Sequence, residues 1–130
     1  MAVAITTLRS TLAAALENAG VWQVFSFPPV TPIANSVIVQ WDDPMLEASN
    51  SQYLIAPKAN FRIVMIAPMF DNQGNLEGIE SMIVGIFNKI AASSLKIDVR
   101  AITSPAVLSS DAGQMLSAEM TISIMTSWDQ

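Results

Sequence analysis

The stretch "NFRIVMIAP", residues 60–68, is the clearest strand signal in the chain, and it decides the expected fold. Side chains alternate between the two faces of a strand. The odd-numbered residues from Phe61 to Ala67 therefore lie on one face, and the even-numbered residues from Arg62 to Ile66 on the other. Both faces are largely apolar after Arg62. We therefore predict a central strand that is covered on both sides.

The segments around this strand predict the rest of the fold. Apolar residues at spacings of three and four predict one helix over residues 4–19 and a second that begins at Asn72 or Asn75 and continues through Ile90. Alternating or β-branched runs predict further strands over residues 21–27, 36–41, 96–102 and 114–128, and the extended segment that ends at residue 68 begins near residue 53. We expect polar loops over residues 42–52 and 103–113.

This order of elements, α-β-β-β-α-β-β, predicts a small α/β (α+β) protein. We expect a single domain over residues 1–130, with a mixed or antiparallel sheet of about five strands and two helices packed on it. The expected core combines the apolar faces of both helices and of two strands. Its residues are Leu12, Leu16, Ile63, Met65, Ile83, Phe87, Leu116, Met120, Ile122 and Ile124.

The composition indicates a surface with few charges. Apolar residues make up 52% of the chain and charged residues 13%, against a usual charged share of about 25%. Copies of the chain or other partners could cover the apolar surface, or a surface rich in Ser, Thr, Asn and Gln could replace the charges. The net charge of −5 argues against nucleic-acid binding, which normally needs a basic patch. The chain has no apparent signal peptide or membrane-spanning run, so we expect no membrane association.

The sequence carries no recognisable catalytic or metal-binding motif. It has no His and no Cys, and it contains neither a G-x-S-x-G elbow nor a phosphate-binding glycine loop. The pair Asp42-Asp43 could bind a cation or transfer protons, but a solvated strand end is the simpler interpretation. The acidic run "DNQGNLEGIE", residues 71–80, lacks calcium-loop spacing and is better explained as a turn and helix cap. We predict no enzyme activity, no catalytic residues, no metal and no cofactor.

With this order of elements in hand, nearly the whole chain resembles the tail terminator family of long-tailed bacteriophages, also called tail completion or tail-to-head joining proteins. The resemblance rests on five consecutive stretches and on the total length. They are "LRSTLAAALENAGVWQVFSFPP" (8–29), "NSVIVQWDDPML" (35–46), "NFRIVMIAP" (60–68), "NLEGIESMIVGIFNKIAAS" (75–93) and "KIDVRAITSPAVLSSDAGQMLSAEMTISI" (96–124).

The resemblance implies a structural virion protein. Members of this family fold as a small α/β domain and form a homohexameric ring on the last ring of the tail tube. The ring stops tube polymerisation and offers a surface to the head. The implied partners are further copies of the chain, the tail tube protein and a head-completion or neck protein, and DNA passes through the ring without sequence-specific binding. The implied location is the head-proximal end of the virion tail, and the host cytoplasm during assembly.

Two other functions fit the same composition. A head-completion or neck protein of the same virion shares the length and character of the chain. A small non-enzymatic ligand-binding domain would use its tryptophans to line a pocket. A monomer with a well-formed apolar pocket would favour the ligand-binding domain, whereas a ring or a concentration-dependent oligomer would favour the terminator.

The segment between Asp42 and Lys58 is the candidate subunit or tail-tube interface. Its apolar residues flank a polar tip, lie between Pro44 and Pro57, and fall outside both predicted helices. Asp42 and Asp43 would face solvent or the ring channel, where negative charge keeps DNA from adhering. The interface residues that we predict are Asp42, Asp43, Met45, Leu46, Tyr53, Leu54, Ile55 and Lys58.

Overall fold

The described residues form two helices and six strands, and all six strands join one mixed sheet. The structure is a computed structural model that describes residues 5–18, 21–26, 34–50, 55–68, 74–93, 95, 97–110 and 113–126. The predicted α+β class is confirmed. In chain order the elements are α1 (Ile5–Ala15), β1 (Gln23–Phe25), β2 (Ser36–Asn50), β3 (Ile55–Pro68), α2 (Gly74–Ala92), β4 (Ile97–Ile102), β5 (Ala106–Ser110) and β6 (Gly113–Met125).

Strand β3 lies in the middle of the sheet, as its apolar sequence predicts. The strand order is β1-β2-β3-β6-β4, and β5 also pairs with β6. β1 runs parallel to β2, and all other neighbouring strands are antiparallel. The register places Ile63 opposite Val39 of β2 and Met120 of β6. These three side chains therefore share one face of the sheet.

Both helices pack on this face. α1 lies over β1 and β2, and α2 lies over β3 and β6. Leu8, Leu12 and Leu16 recur every four residues, so they form one stripe against the sheet. The buried cluster between the helices and the sheet comprises Leu8, Leu12, Leu16, Trp22, Val37, Val39, Ala59, Phe61, Ile63, Met65, Ala67, Ile79, Met82, Ile86, Ile90, Ala118, Met120, Ile122 and Ile124.

The opposite face of the sheet is partly apolar and partly charged. Ile38, Ile66 and Met115 form a small buried cluster at one end. Further along β3 the same face carries Arg62, whose side chain is about one third exposed. The prediction that β3 is covered on both sides therefore holds at Ile66 and fails at Arg62.

Two predicted loops contain strands. The expected loop over residues 42–52 is wrong because β2 continues to Asn50, where it pairs with Ile55 of β3. The expected loop over residues 103–113 contains β5, which pairs with β6. Local polarity predicted loops in both places. Pairing with the adjacent strand of a hairpin satisfies the backbone hydrogen bonds of these segments, and their polarity alone does not predict that pairing.

The prediction that Phe87 belongs to the core is also wrong, because its side chain is 50% exposed. Ile86 takes the buried position on α2 instead. Of the other expected core residues, Ile83 is partly buried against the main cluster, and Leu116 is buried outside it. Phe87 directly follows Ile86, so its side chain points about 100° round the helix from the buried side of α2.

Candidate functional site

The ladder between β2 and β3 is interrupted near the middle of β2. Trp41 pairs with Phe61, and the next pair is Leu46 with Ala59. Residues 42–45, which we call the bulge, therefore face only Asn60 of β3. A bulge leaves residues outside the ladder and increases the local twist of the strand. Pro44 suits this place because it has no backbone N–H to contribute to a ladder, and the Asp43–Pro44 peptide bond is cis.

Asn60 fills the gap that the bulge leaves in the ladder. Its side chain is almost fully buried, at 1% exposure. The Nδ2 amide donates a hydrogen bond to the carbonyl oxygen of Pro44 at 3.0 Å. The Oδ1 oxygen accepts a hydrogen bond from Oγ of Ser123, on β6, at 2.7 Å. We call these two hydrogen bonds the Asn60 bridge. It connects β2, β3 and β6 at one point.

An ion pair anchors the first residue of the bulge. Nη2 of Arg62 lies 3.1 Å from Oδ1 of Asp42, and Nη1 of the same residue lies 3.8 Å from Oε1 of Glu119. Partial burial raises the pKa of Asp42, but a hydrogen bond from the backbone of Asp43 and the positive charges of Arg62 and Arg100 together outweigh it. The pKa of Asp42 is therefore lowered, and its carboxylate is ionised at neutral pH.

Beyond the bulge, β2 and β3 continue as a paired extension of the sheet. Residues 46–50 pair with residues 55–59, and we call this pair of segments the arm. Glu47 faces Lys58 across the arm. The carboxylate of Glu47 also lies 3.9 Å from the guanidinium of Arg100, which belongs to β4 at the far side of the sheet. This contact reaches across β3 and β6, which requires the sheet to curl towards the face opposite the helices.

The structure brings five of the predicted interface residues together at the bulge and the base of the arm. Met45 is 44% exposed and Asp43 is exposed, while Asp42 and Lys58 are partly buried. Leu46 is partly buried and packs against the main core, so its side chain stabilises its own subunit.

For Ile55 the structure describes the backbone pairing in the arm, whereas Tyr53 and Leu54 lie outside the described residues. The assignment of all eight residues to an interface remains a prediction.

Sequence reasoning missed the residues that hold the bulge. Asn60, Arg62 and Ser123 are polar residues within two strongly apolar strands, and only Arg62 drew attention in the sequence. A buried strand that carries an amide side chain needs a hydrogen-bond partner for it. This rule marks Asn60 as unusual, but it does not identify Pro44 or Ser123 as its partners. All buried side-chain nitrogen and oxygen atoms of the described residues have a hydrogen-bond partner.

The described residues show little that suits a small ligand. Among them, no three of His, Cys, Asp and Glu come close enough to hold a metal ion. A depression of about 570 Å³ lies beside α2, and the described residues that line it, from Glu80 to Asn88, all belong to that helix. A second depression, of about 340 Å³, lies beside β1 and is lined by residues 17, 18 and 22–25. Neither helix of the described chain is long and apolar enough to cross a membrane.

The comparisons with known proteins leave the family open. Neither a scan against protein-family models nor a search of the curated proteins finds a match to this chain. Function is therefore inferred from the sequence and from the geometry of the fold.

Proposed function

We propose that this protein is a tail terminator: a structural virion protein that forms a ring on the head-proximal end of a phage tail tube, stops tube growth and offers a surface for head joining. The observation that carries the proposal is the arrangement of elements. Two helices cover one face of a mixed sheet, and a long hairpin of β2 and β3 extends the sheet at one end. A small α/β domain of this kind is what the resemblance to that family implies.

An uncovered apolar flank beside α2 supports self-association. Trp22 lies against Gly85 on one side of α2. Phe87 follows two residues later, about 200° round the helix, so it points away from Trp22. On β4, Ile102 pairs with Met120 and therefore lies on the face that carries the helices, where it is 42% exposed. Phe87 and Ile102 together define what we call the α2 flank, and a neighbouring subunit would cover it.

The arm and the bulge supply a second surface for assembly. Met45 and Asp43 are exposed at the bulge. On a different part of the molecule, the outer side of α1 carries exposed polar residues such as Thr6, Arg9 and Ser10. A ring needs two different surfaces on each subunit, because each copy meets the next one head to tail. The α2 flank and the arm are two such surfaces on different parts of the molecule.

Mass measurement and tail assembly together test the proposal. Light scattering on the purified chain at several concentrations should give masses that rise from the 14.0 kDa monomer towards a ring of about 80 kDa, as expected for six copies. Because a ring could require the tube as a template, the second measurement adds the chain to polymerising tail tubes. We expect tubes of uniform length with one ring at an end. A chain that stays monomeric and leaves tube length unchanged would contradict the proposal.

A shortened arm makes the test specific. Replacing residues 48–57 with Asn-Gly would join the register partners Glu47 and Lys58 through a two-residue turn. We expect the folded variant to lose tube capping, so that tails grow overlong. The exposed substitution Arg9→Ser on α1 is the control and should cap as the wild type does. A shortened variant that still forms rings and caps tubes would exclude the arm from the function.

A head-completion or neck protein is the second candidate, because it shares the length and character of the chain. It would bind the portal side of the head and leave tube length unaffected, so the capping assay separates the two functions. A ligand-binding domain is less well supported, because the lining residues of the larger depression that the structure describes all belong to α2. Specific small pockets usually draw polar and apolar groups from several elements.

A further inference from the structure

We propose that Asn60 is a positioning residue that fixes the direction of the arm relative to the sheet. β3 passes from the sheet into the arm without a break in its pairing with β6, up to Lys58 opposite Met125. The ladder of β2, in contrast, breaks at the bulge between Trp41 and Leu46. Beyond the bulge the outer half of β2 pairs again with residues 55–59 of β3, so the contacts that hold the bulge set how β2 enters the arm.

The Asn60 bridge is the contact that can hold it. Both ends of the amide are used: Nδ2 donates to Pro44 on β2, and Oδ1 accepts from Ser123 on β6. The amide is buried, and its neighbours in sequence, Ala59 and Phe61, are fully buried core residues. Hydrogen bonds sheltered from water in this way are strong, directional and little affected by salt. The Asn60 bridge therefore connects three strands rigidly at the base of the arm.

The other contact that reaches the arm is weaker. The ion pair between Arg100 and Glu47 has a separation of 3.9 Å, and both side chains are close to half exposed. Solvent and salt screen such a pair, and exposed ion pairs of this kind contribute little to the stability of the fold. The Arg62–Asp42 pair holds the bulge on the side away from the arm. The Asn60 bridge is thus the buried link between the bulge and the rest of the sheet.

The alternative is that Asn60 contributes only stability, as any satisfied buried amide does. Asn60→Asp separates the two roles. Burial favours the protonated acid, which could still donate to Pro44, so this variant is measured at a pH high enough to ionise it. The ionised Asp has the same shape and can accept from Ser123, but it has no proton to donate to Pro44. Ser123→Ala does the reverse, because it removes one donor and leaves the bond between Nδ2 and Pro44. Ser36→Ala is the matched control: Ser36 is a buried polar residue at the opposite end of β2.

Spin labels can measure the direction of the arm directly. The chain has no cysteine, so two introduced cysteines are labelled without background. One label replaces Ser49 in the arm, and the other replaces the exposed Asn88 on α2. We expect a single narrow distance distribution in the wild type, and at least a twofold broader or displaced one in Asn60→Asp and Asn60→Ala. Ser123→Ala and Ser36→Ala should keep the narrow distribution.

Each outcome decides the proposal. A folded Asn60→Asp variant with the distance distribution of the wild type would overturn it. If both Asn60 variants fail to fold, hydrogen exchange of the Asn60 side-chain amide in the wild-type protein decides. We expect that amide to exchange at least tenfold more slowly than an exposed Asn or Gln amide, and exchange at the free rate would overturn the proposal.

The consequence for capping rests on the proposed function. A variant with a misdirected arm should form rings less readily and cap tubes poorly. If the wild-type chain neither forms rings nor caps tubes, the proposed function fails while the distance measurement on the isolated chain still tests the role of Asn60. If the wild type caps tubes and Asn60→Asp caps equally well despite a displaced arm, the direction of the arm has no part in capping.

Discussion

The indole of Trp22 lies directly against Gly85 of α2. A Cβ atom at position 85 would lie 3.0 Å from Cη2 and 3.1 Å from Cζ3 of that ring. Trp22 has little freedom to move, because it is buried and its Nε1 donates a 2.8 Å hydrogen bond to the carbonyl oxygen of Leu16. At Gly85, α2 therefore contacts Trp22, which precedes β1 and is hydrogen-bonded to Leu16, just after α1.

Gly85→Ala should destabilise the protein. Alanine improves the intrinsic helix propensity by about 1 kcal/mol, but overpacking in a buried contact costs roughly 1–3 kcal/mol. We expect a net loss of up to about 2 kcal/mol in the free energy of unfolding, measured by urea denaturation. In a background with Trp41 and Trp128 replaced by Phe, a lower accessibility of the remaining tryptophan to quenchers without Gly85→Ala than with it would locate the change at Trp22.

Gly78→Ala is the matched control for Gly85→Ala. Gly78 belongs to the same helix, is exposed, and has no atom within 4 Å of the position that a Cβ would take. Only the propensity effect remains, so the variant should be more stable than the wild type by up to about 1 kcal/mol. If both variants shift the stability in the same direction, the contact between Trp22 and position 85 is not the reason for the glycine.

Ile122→Ala should be strongly destabilising. Ile122 is fully buried on β6, between Phe61 of β3 and Val99 of β4 in the ladder. Truncating such a side chain leaves a cavity, and we expect a loss of roughly 2–5 kcal/mol in the free energy of unfolding. Phe87→Ala removes a larger but exposed side chain and should cost under about 1 kcal/mol in the monomer. An equal cost for the two variants would contradict the burial described for β6.

Asp42 should stabilise the protein at neutral pH and lose this effect in acid. Its pKa is lower in the folded protein than in the unfolded chain, so the unfolded state binds the proton more tightly and stability falls as the pH falls below about 4. At pH 7, Asp42→Asn should lower the free energy of unfolding by on the order of 1 kcal/mol, because solvent partly screens the Arg62 pair.

Denaturation at two pH values checks this prediction. The stability difference between the wild type and Asp42→Asn should be present at pH 7 and much smaller at pH 3. Asp43→Asn, at the exposed neighbouring position, should show a smaller difference at pH 7. A difference for Asp42→Asn that is the same at both pH values would mean that the carboxylate charge is not the stabilising feature.

Substituting both residues of the α2 flank should weaken self-association without unfolding the chain. Phe87→Ser combined with Ile102→Ser replaces two half-exposed apolar side chains, and a desolvated apolar anchor commonly contributes 2 kcal/mol or more to an interface. We expect at least a tenfold shift of the association midpoint to higher concentration in sedimentation equilibrium. The double variant Thr6→Ser with Arg9→Ser, on α1, is the control. An unchanged midpoint would place the subunit contact elsewhere.

Local sequence patterns predicted much of the fold, because the spacing of apolar residues in a segment indicates which of its side chains are buried. The alternation in β6 and in residues 60–68 predicted strands whose apolar side chains pack under the helices, and Ile63, Met120 and Ile122 are buried as expected. The spacing of Leu12 and Leu16 likewise predicted the buried stripe of the first helix. The absence of His and Cys limited the chemistry that the chain can perform, since composition does not depend on the fold.

Only the tertiary structure decided which segments pair and which apolar residues remain uncovered. The polar residues after Asp42 form a strand because residues 55–59 of β3 lie beside them. Phe87 is exposed because Ile86, about 100° away round α2, is the residue that faces the core. Asn60 and Ser123 are 63 residues apart in sequence, so no local pattern relates them. Contacts of this kind depend on strand register, and register is set by the packing of the whole sheet at once.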